Sequence, residues 1–386
     1  MNPWHHLPQP FFILAPMEAV TDVVFRHVVA KAGAPDIWFS EFTNATGWVH
    51  AGQKAIGGRL IKTDDENPII AQIWGGEPGD MEQLSLRCKE LGYHGIDINM
   101  GCPAKSAIKS GGSALIRKPE VAIAAIQAAK IAGLPVSVKT RLGYTSTDEW
   151  CDWLTTLLEQ DIVNLTIHLR TKKEMSKVPA HFELIPDIIA LRDQIAPQTL
   201  LTINGDIRNR AHGLELVNKY PGINGVMIGR GVFQNPYCFA SNDTSTNAKW
   251  VAVGGAAPTF EEISDFSKEG ADRLTGPASS DLRTDFEEIC DDGSGANSDH
   301  IPDQARSEVG LDDFGGEDTM QKINLLYYHL DLFDQWQPQL ERPYETLKRF
   351  FKIYIRDFDG AKELRDQLMH TKTTSEARKL IKKATN

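Results

Sequence analysis

No C-x-x-C pair occurs in this chain, and its five cysteines, Cys88, Cys102, Cys151, Cys238 and Cys290, are odd in number and far apart. That spacing disfavours a zinc ribbon, an iron–sulfur cluster or a disulfide framework, so no metal is expected and a reducing, cytoplasmic setting fits best. No apolar run reaches about 18 residues, which argues against a membrane span. Residues 1–10 have no basic patch followed by an apolar core, so a secretory signal is not expected. No G-x-G-x-x-G follows the first strand candidate, which counts against a doubly wound dinucleotide fold.

The net charge of −11 argues at first sight against a nucleic-acid partner. The average misleads, because residues 241–318 hold 19 acidic and 5 basic side chains, a net of −14. Residues 319–386 hold 13 basic against 9 acidic, so the closing segment is mildly basic.

With 386 residues and 41% hydrophobic content, the chain has room for one large domain and a smaller one. From residue 11 to about 240, β-rich runs alternate with helix-like stretches. The strand candidates are Phe11–Met17, Asp36–Phe42, Pro68–Trp74, Gly95–Asn99, Val136–Arg141, Leu165–His168, Leu200–Asn204 and Gly225–Ile228. Several are apolar on both faces, as a parallel sheet covered on both sides requires. Helical patterns fall at Asp22–Ala32, Asp80–Leu91, Pro119–Ala132, Asp148–Gln160, Phe182–Ile195 and Asn209–Lys219, many opening on Asp, Asn or Pro. This is the size and rhythm of a (β/α)8 TIM barrel, of class α/β, spanning 1–240. Residues 241–318 are rich in Ser, Asn, Asp and Gly with poor periodicity, and read as a flexible acidic insertion. Within it Phe260–Phe266 and Asp285–Cys290 are short helix candidates. Residues 319–386 then read as a small helical bundle, with amphipathic stretches at Ile323–Leu332, Tyr344–Arg356, Ala361–Met369 and Ser375–Lys383.

Cys102 stands in Asp97-Ile98-Asn99-Met100-Gly101-Cys102-Pro103, just past the carboxyl end of the fourth strand, the edge where barrels do chemistry. Taken alone it has a bland reading, as a small buried hydrophobe. The other strand ends give Ala15-Pro16-Met17, Gln72, Asn99, Lys139 with Arg141, His168 with Arg170, Asn204-Gly205-Asp206, and Gly229-Arg230-Gly231. Polar groups at buried strand ends are expensive unless they hold something. Glycines and an arginine after strands seven and eight suit a phosphate, although glycine there is also ordinary turn chemistry.

These stretches, with Thr21-Asp22, Lys105, Gly111-Gly112-Ser113-Ala114-Leu115, Val138-Lys139-Thr140-Arg141-Leu142-Gly143 and Val226-Met227-Ile228-Gly229-Arg230-Gly231, resemble the tRNA-dihydrouridine synthase family of bacterial type. The likeness covers residues 11 to about 240 and, more loosely, the closing helices. It implies an FMN over the barrel mouth and reduction of the uridine C5–C6 double bond in tRNA, with NADPH or NADH as reductant. By the same resemblance Ala15, Pro16 and Met17 back the flavin ring, and Gln72 and Lys139 meet its polar edge. His168, Asn204, Gly205, Asp206, Gly229 and Arg230 surround the phosphate. Asn99, Arg141 and Lys105 meet the uracil and its strand, and Cys102 donates the proton. A monomer with no membrane attachment is the expected state.

The chain departs from the family pattern in three places. Leu169 follows the strand-six histidine where the family has a small residue. The loop 172–181 lacks the family's second arginine and glutamine and carries Lys172, Lys173 and Lys177 instead, and the insertion 241–318 is not a family feature. The tail cations Arg342, Lys348, Arg349, Lys352, Arg356 and Lys362 form a candidate RNA-backbone surface, the alternative being a solvated helical face. Two other functions compete. One is a flavin-barrel reductase of a small molecule, of the dihydroorotate dehydrogenase or ene-reductase kind. The other is an RNA-binding module with a decayed site, against which the retention of Cys102, Lys139 and His168 speaks.

Overall fold

The structure, a computed structural model, describes residues 2–56, 58–104, 107–109, 111–240 and 317–385. Eight parallel strands form the expected barrel: β1 (Phe11–Leu14), β2 (Trp38–Phe39), β3 (Ile69–Trp74), β4 (Ile96–Asn99), β5 (Val136–Arg141), β6 (Asn164–His168), β7 (Leu200–Asn204) and β8 (Gly225–Ile228). From β2 onward each pairs with the next through β8, which pairs back on β1 in register from Phe11–Gly225 to Leu14–Ile228. The ring closes between β1 and β2 by a single bridge, Ile13 to Ile37. Strand one stops at Leu14 rather than Met17 because Pro16 has no N–H to continue a ladder.

Helices cross over between strands as the sequence rhythm requires: α1 (Val23–Ala32), α2 (Ala45–Ile56), α3 (Pro78–Glu90), α4 (Pro119–Lys130), α5 (Trp150–Leu158), α6 (Ile185–Ile195), α7 (Arg210–Lys219) and the short α8 (Gly231–Gln234). Start signals behave as read. The Asp22 carboxylate accepts from the Phe25 N–H, Asn209 accepts from the His212 N–H, and proline opens α3 and α4. Helix α2 is absent from the sequence reading. Gly47 and Gly52 dilute its pattern, and Gly52, at φ 77°, breaks the helical backbone.

Strands β4 and β5 depart from the two-faced apolar expectation. In Ile96-Asp97-Ile98-Asn99 and Val136-Ser137-Val138-Lys139-Thr140-Arg141, successive side chains take opposite faces. Asp97 and Ser137 are register partners that hydrogen-bond each other inside the barrel, and Asn99 and Lys139 follow two residues on. The opposite side of the interior is apolar. Trp4, on an N-terminal turn, packs edge-on to Phe11 and Phe39 at centroid distances of 5.7 and 6.2 Å. With Ile13, Ile37, Ile70 and Met227 it forms one buried cluster.

The chain divides into two compact units. One is the barrel together with Asp331–Pro343; the other holds residues up to Leu330 and Tyr344–Asn386. The helix α9 (Glu317–Leu340), longer than its sequence signal, runs through that division. The second unit continues with α10 (Glu345–Lys348), α11 (Phe351–Tyr354), α12 (Ala361–Met369) and α13 (Thr374–Thr385). It buries Ile323, Leu326, Leu347, Phe351, Leu364, Leu368 and Ile381 along amphipathic faces. Among the described residues no helix is long and apolar enough to cross a membrane. The acidic stretch, its two helix candidates and Cys290 lie outside the described residues, as does Lys105.

Candidate active site

The loop after β4 is held by one side chain. Asn99 Oδ1 accepts the backbone N–H of Gly101 at 3.1 Å and of Cys102 at 2.9 Å. Its Nδ2 donates to Gln72 Oε1 at 3.1 Å, Gln72 Nε2 donates to Asp97 Oδ2 at 2.7 Å, and Ser137 donates to Asp97 Oδ1 at 2.6 Å. A carboxylate only accepts, so Asp97 requires the Gln72 nitrogen and the rest of the chain follows in order. The two loop N–H groups require an oxygen at the other end, so both ends agree. Burial pushes the Asp97 carboxyl up to about 6, against hydrogen bonds from Ser137 and Gln72 and the charge of Lys139. On its far side the loop is gripped by the Ser113 N–H, which donates to the Cys102 carbonyl at 3.0 Å. The half-buried thiol is pushed up to about 11 by burial, so it stays protonated at neutral pH.

Arg141 braces the same loop, its Nε donating to the Gly101 carbonyl at 2.8 Å. Its Nη1 donates to the carbonyls of Thr171 and Met175 at 3.0 Å each, tying down the loop after β6, while Nη2 has no partner among the described residues. Lys139 is half-buried and its ammonium makes no hydrogen bond or ion pair with them. Burial, then the neighbouring Arg141, lowers the Lys139 ammonium to about 8. The charges of these two cations, two residues apart on β5, both bear on the Cys102 thiol.

A second cluster sits at the ends of β6, β7 and β8. Arg170, almost fully buried, donates to Asp206 Oδ2, to the Val178 carbonyl at 2.5 Å and to His168 Nε2 at 3.2 Å. Because an arginine cannot accept, His168 carries its proton on Nδ1. Burial, with Arg141, Lys139, Arg170 and Arg230 around it, holds His168 well below its usual value, so the ring is neutral. Asp206 also accepts from the Ala180 N–H at 2.9 Å and from Arg230 Nη2 at 3.0 Å. Burial would raise its carboxyl, but these bonds outweigh it and leave it lowered. Gly205, at φ 120°, occupies a backbone region closed to side chains, and a Cβ there would stand 3.0 Å from His168 Cδ2. At Gly229 a Cβ would meet only Ala15 Cβ, at 3.5 Å, so its flank is open. Asn204 is turned inward, its Nδ2 donating to the Met227 carbonyl at 2.8 Å. The rim therefore collects Lys139, Arg141, Arg170 and Arg230, with Asp206 paired to the last two and Asp97 and Glu174 acting on the first two, a cluster of cations that suits an anionic group.

Ala15 is tied to β8 through the Ile228 carbonyl, and Met17 closes a turn with Thr21, whose hydroxyl accepts the Met17 N–H at 2.9 Å. Gln72 is fully buried beneath Asn99, and Leu169 is fully buried as well. Arg342 is not on a free helical surface: it ion-pairs with Asp22 at 2.9 Å and Glu41 at 2.6 Å, both buried. Of the other tail cations, Lys352 and Lys362 are exposed, Lys348 donates to the Met369 carbonyl and Arg356 pairs with Asp357.

The structure brings together Asn99, Cys102, Lys139, Arg141 and Gln72 in one neighbourhood, and His168, Asn204, Gly205, Asp206 and Arg230 in the next. Sequence reasoning quoted Asp97 and Asp22 within motifs but gave them, like Ser137 and Glu41, no role at the site. The two-residue spacing of Asp97 with Asn99, and of Ser137 with Lys139 and Arg141, is the signal that would have found Asp97 and Ser137.

A family model described as dihydrouridine synthase (Dus) matches residues 13–267. A probable tRNA-dihydrouridine synthase 2 of Bacillus subtilis (strain 168) is 46% identical over 382 residues, covering 98% of this chain and 95% of that protein. Probable tRNA-dihydrouridine synthases of Staphylococcus epidermidis (strain RP62A) and Staphylococcus aureus (strain Mu50) are each 45% identical over 382 residues, covering 98% of this chain and 95% and 94% of theirs.

Proposed function

The chain belongs to the dihydrouridine synthase family of flavin-dependent oxidoreductases that act on tRNA uridine, and from that premise we propose how its own residues carry the reaction. The observation that carries the reading is the protonated Cys102 thiol, fixed by Asn99 and flanked by the unpartnered donors of Lys139 and Arg141.

The flavin is FMN, recharged by NADPH or NADH. The rim fits it: Arg230 with the Gly205 and Gly229 turns would hold its phosphate, His168 Nδ1–H and Asn204 would flank it, and Lys139 would face the electronegative edge of the ring. Ala15, Pro16 and Met17 would back the ring, with Gln72 below. When bound and reduced, it supplies the hydride that adds at C6 of uracil.

The protein's part is to hold the base and deliver a proton to C5. A uridine inside folded tRNA reaches a barrel mouth only when flipped out of its stack. Arg141 Nη2 and the second Asn99 Nδ2 hydrogen would then donate to the uracil carbonyls, where negative charge develops as C6 is reduced. Cys102 gives its proton to C5 of the resulting enolate, and the thiolate is stabilised by Lys139 and Arg141 until solvent reprotonates it. Lys105 would contact the strand beside the flipped base. The protein acts as a monomer in the cytoplasm.

The direct test is to purify the full chain, release and identify its flavin, and incubate it with unmodified tRNA and NADPH. FMN and a mapped dihydrouridine are expected. A protein that neither retains nor rebinds FMN, or that leaves tRNA uridine unreduced, would overturn the proposal.

A further inference from the structure

Arg342 follows α9 and belongs to the same compact unit as the barrel. Its Nη1 meets Asp22 Oδ2 at 2.9 Å and its Nη2 meets Glu41 Oε2 at 2.6 Å. Each acid is also a fastening point of the loop after β1. Asp22 Oδ1 caps α1 through the Phe25 N–H at 2.9 Å. Glu41, fully buried after β2, uses Oε1 to accept the Ala19 N–H at 2.5 Å and to meet Arg59 Nε at 3.3 Å. Arg59 in turn pairs with Glu18 at 3.0 Å.

The segment so fastened, residues 15–22, carries Pro16 and Met17 at the barrel mouth, and the Glu18 charge bears on Cys102. It is not relaxed backbone: Ala19 sits at φ 54°, a left-handed conformation that is strained for a residue other than glycine. The Glu41 carboxylate holds that residue by its N–H. A carboxylate buried without its cation would be costly, so Glu41 keeps its place only while arginines satisfy it. Among the described residues Arg342 is the cation that bridges both acids, and bidentate guanidinium geometry suits that task where an ammonium does not.

We propose that Arg342 is a positioning residue for the catalytic mouth, clamping the loop after β1 through Asp22 and Glu41, rather than a contact for the RNA backbone. Its consequence for turnover rests on the reading of Cys102 as the acid at that mouth. The clamp itself does not.

The test uses full-length Arg342→Ala and Arg342→Lys, read by peptide-level hydrogen exchange, by dihydrouridine formation and by tRNA binding at two salt concentrations. Expected in Arg342→Ala are at least tenfold faster exchange in residues 16–22 with β5 and β7 unchanged, and a kcat lowered at least tenfold. The tRNA Kd should stay within twofold and its salt dependence should not change. Arg342→Lys should fall between the alanine variant and wild type in exchange and in kcat. Should the alanine variant fail to fold, the lysine variant is read by the same signs. Unaltered exchange in 16–22, or a kcat within twofold of wild type, would overturn the clamp. So would a weaker tRNA Kd with a shallower salt slope and a kept kcat, which would make Arg342 a phosphate contact. If wild type forms no dihydrouridine, the functional reading has failed and the exchange comparison alone decides the clamp.

Discussion

Around β8, β1, β2 and the start of β3 the barrel interior is filled by Phe11, Ile13, Ile37, Phe39, Ile70 and Met227 against Trp4, whereas the end of β3 and β4 to β7 present Gln72, Asp97, Asn99, Ser137, Lys139, Arg141, Asn164, Thr166 and Asn204. In the apolar half, shape and volume decide, and many apolar sets of similar volume would serve. In the polar half each buried group must find a partner, and most do: Thr202 to Asn164, Asn164 to Thr166, Ser137 to Asp97. Among the described residues Lys139 Nζ and Arg141 Nη2 have no partner, and the charges of both groups bear on Cys102. The contrast teaches where each requirement is met. One half supplies stability through apolar packing, and the other accepts a stability cost to keep donors free for a ligand.

The comparison can be broken by single substitutions. The largest expected effect is Cys102→Ala, which removes the acid and should lower dihydrouridine formation by about 10²–10⁴-fold while FMN content is kept. Turnover within threefold of wild type would remove Cys102 from the chemistry. Because the thiol titrates at about 11, wild-type turnover should show no thiol-dependent decline between pH 7 and 9.5, since the acid form is lost only above its own value.

In the apolar half, Trp4→Ala should cost roughly 3–5 kcal/mol and lower the melting temperature by about 10 °C, with turnover at 20 °C kept. A selective loss of turnover without loss of stability would erase the division between the halves.

The smallest effect runs the other way. Lys139→Met should stabilise the flavin-free protein by on the order of 2 kcal/mol at pH 7, while weakening FMN binding. The folded lysine is lowered from 10.5 to about 8, so the penalty of a buried charge is full below pH 8. It shrinks as the folded state releases its proton between pH 8 and 10.5, and it is gone above. The gain should follow that course in denaturant titrations; a gain independent of pH would show that packing, not charge, is responsible.

Much of this site was legible in the chain. The run from Asp97 to Pro103 with Lys139-Thr140-Arg141 placed a thiol, an amide and two cations at adjacent strand ends, because parallel strands bring all their carboxyl ends to one rim. Strands β5, β7 and β8 were found to the residue, since each carries a clear local pattern. Helix α2 was missed because its glycines weaken the period that marks a helix. The Asn99 amide was read as facing a base, but which of its two atoms is free depends on Gln72 and Asp97. Arg342 read as a surface cation because composition cannot reveal a pair of acids more than 300 positions earlier.

The sequence by itself determined the strand–helix alternation, the residues at each strand end and the membership of the family, since these rest on local periodicity and short motifs. The tertiary structure alone decided which half of the interior is polar and which amide atoms face the Cys102 loop. It also decided which arginine holds the mouth rather than the solvent. These depend on partners distant in sequence, and a buried hydrogen bond or ion pair has meaning only when both of its ends are in place.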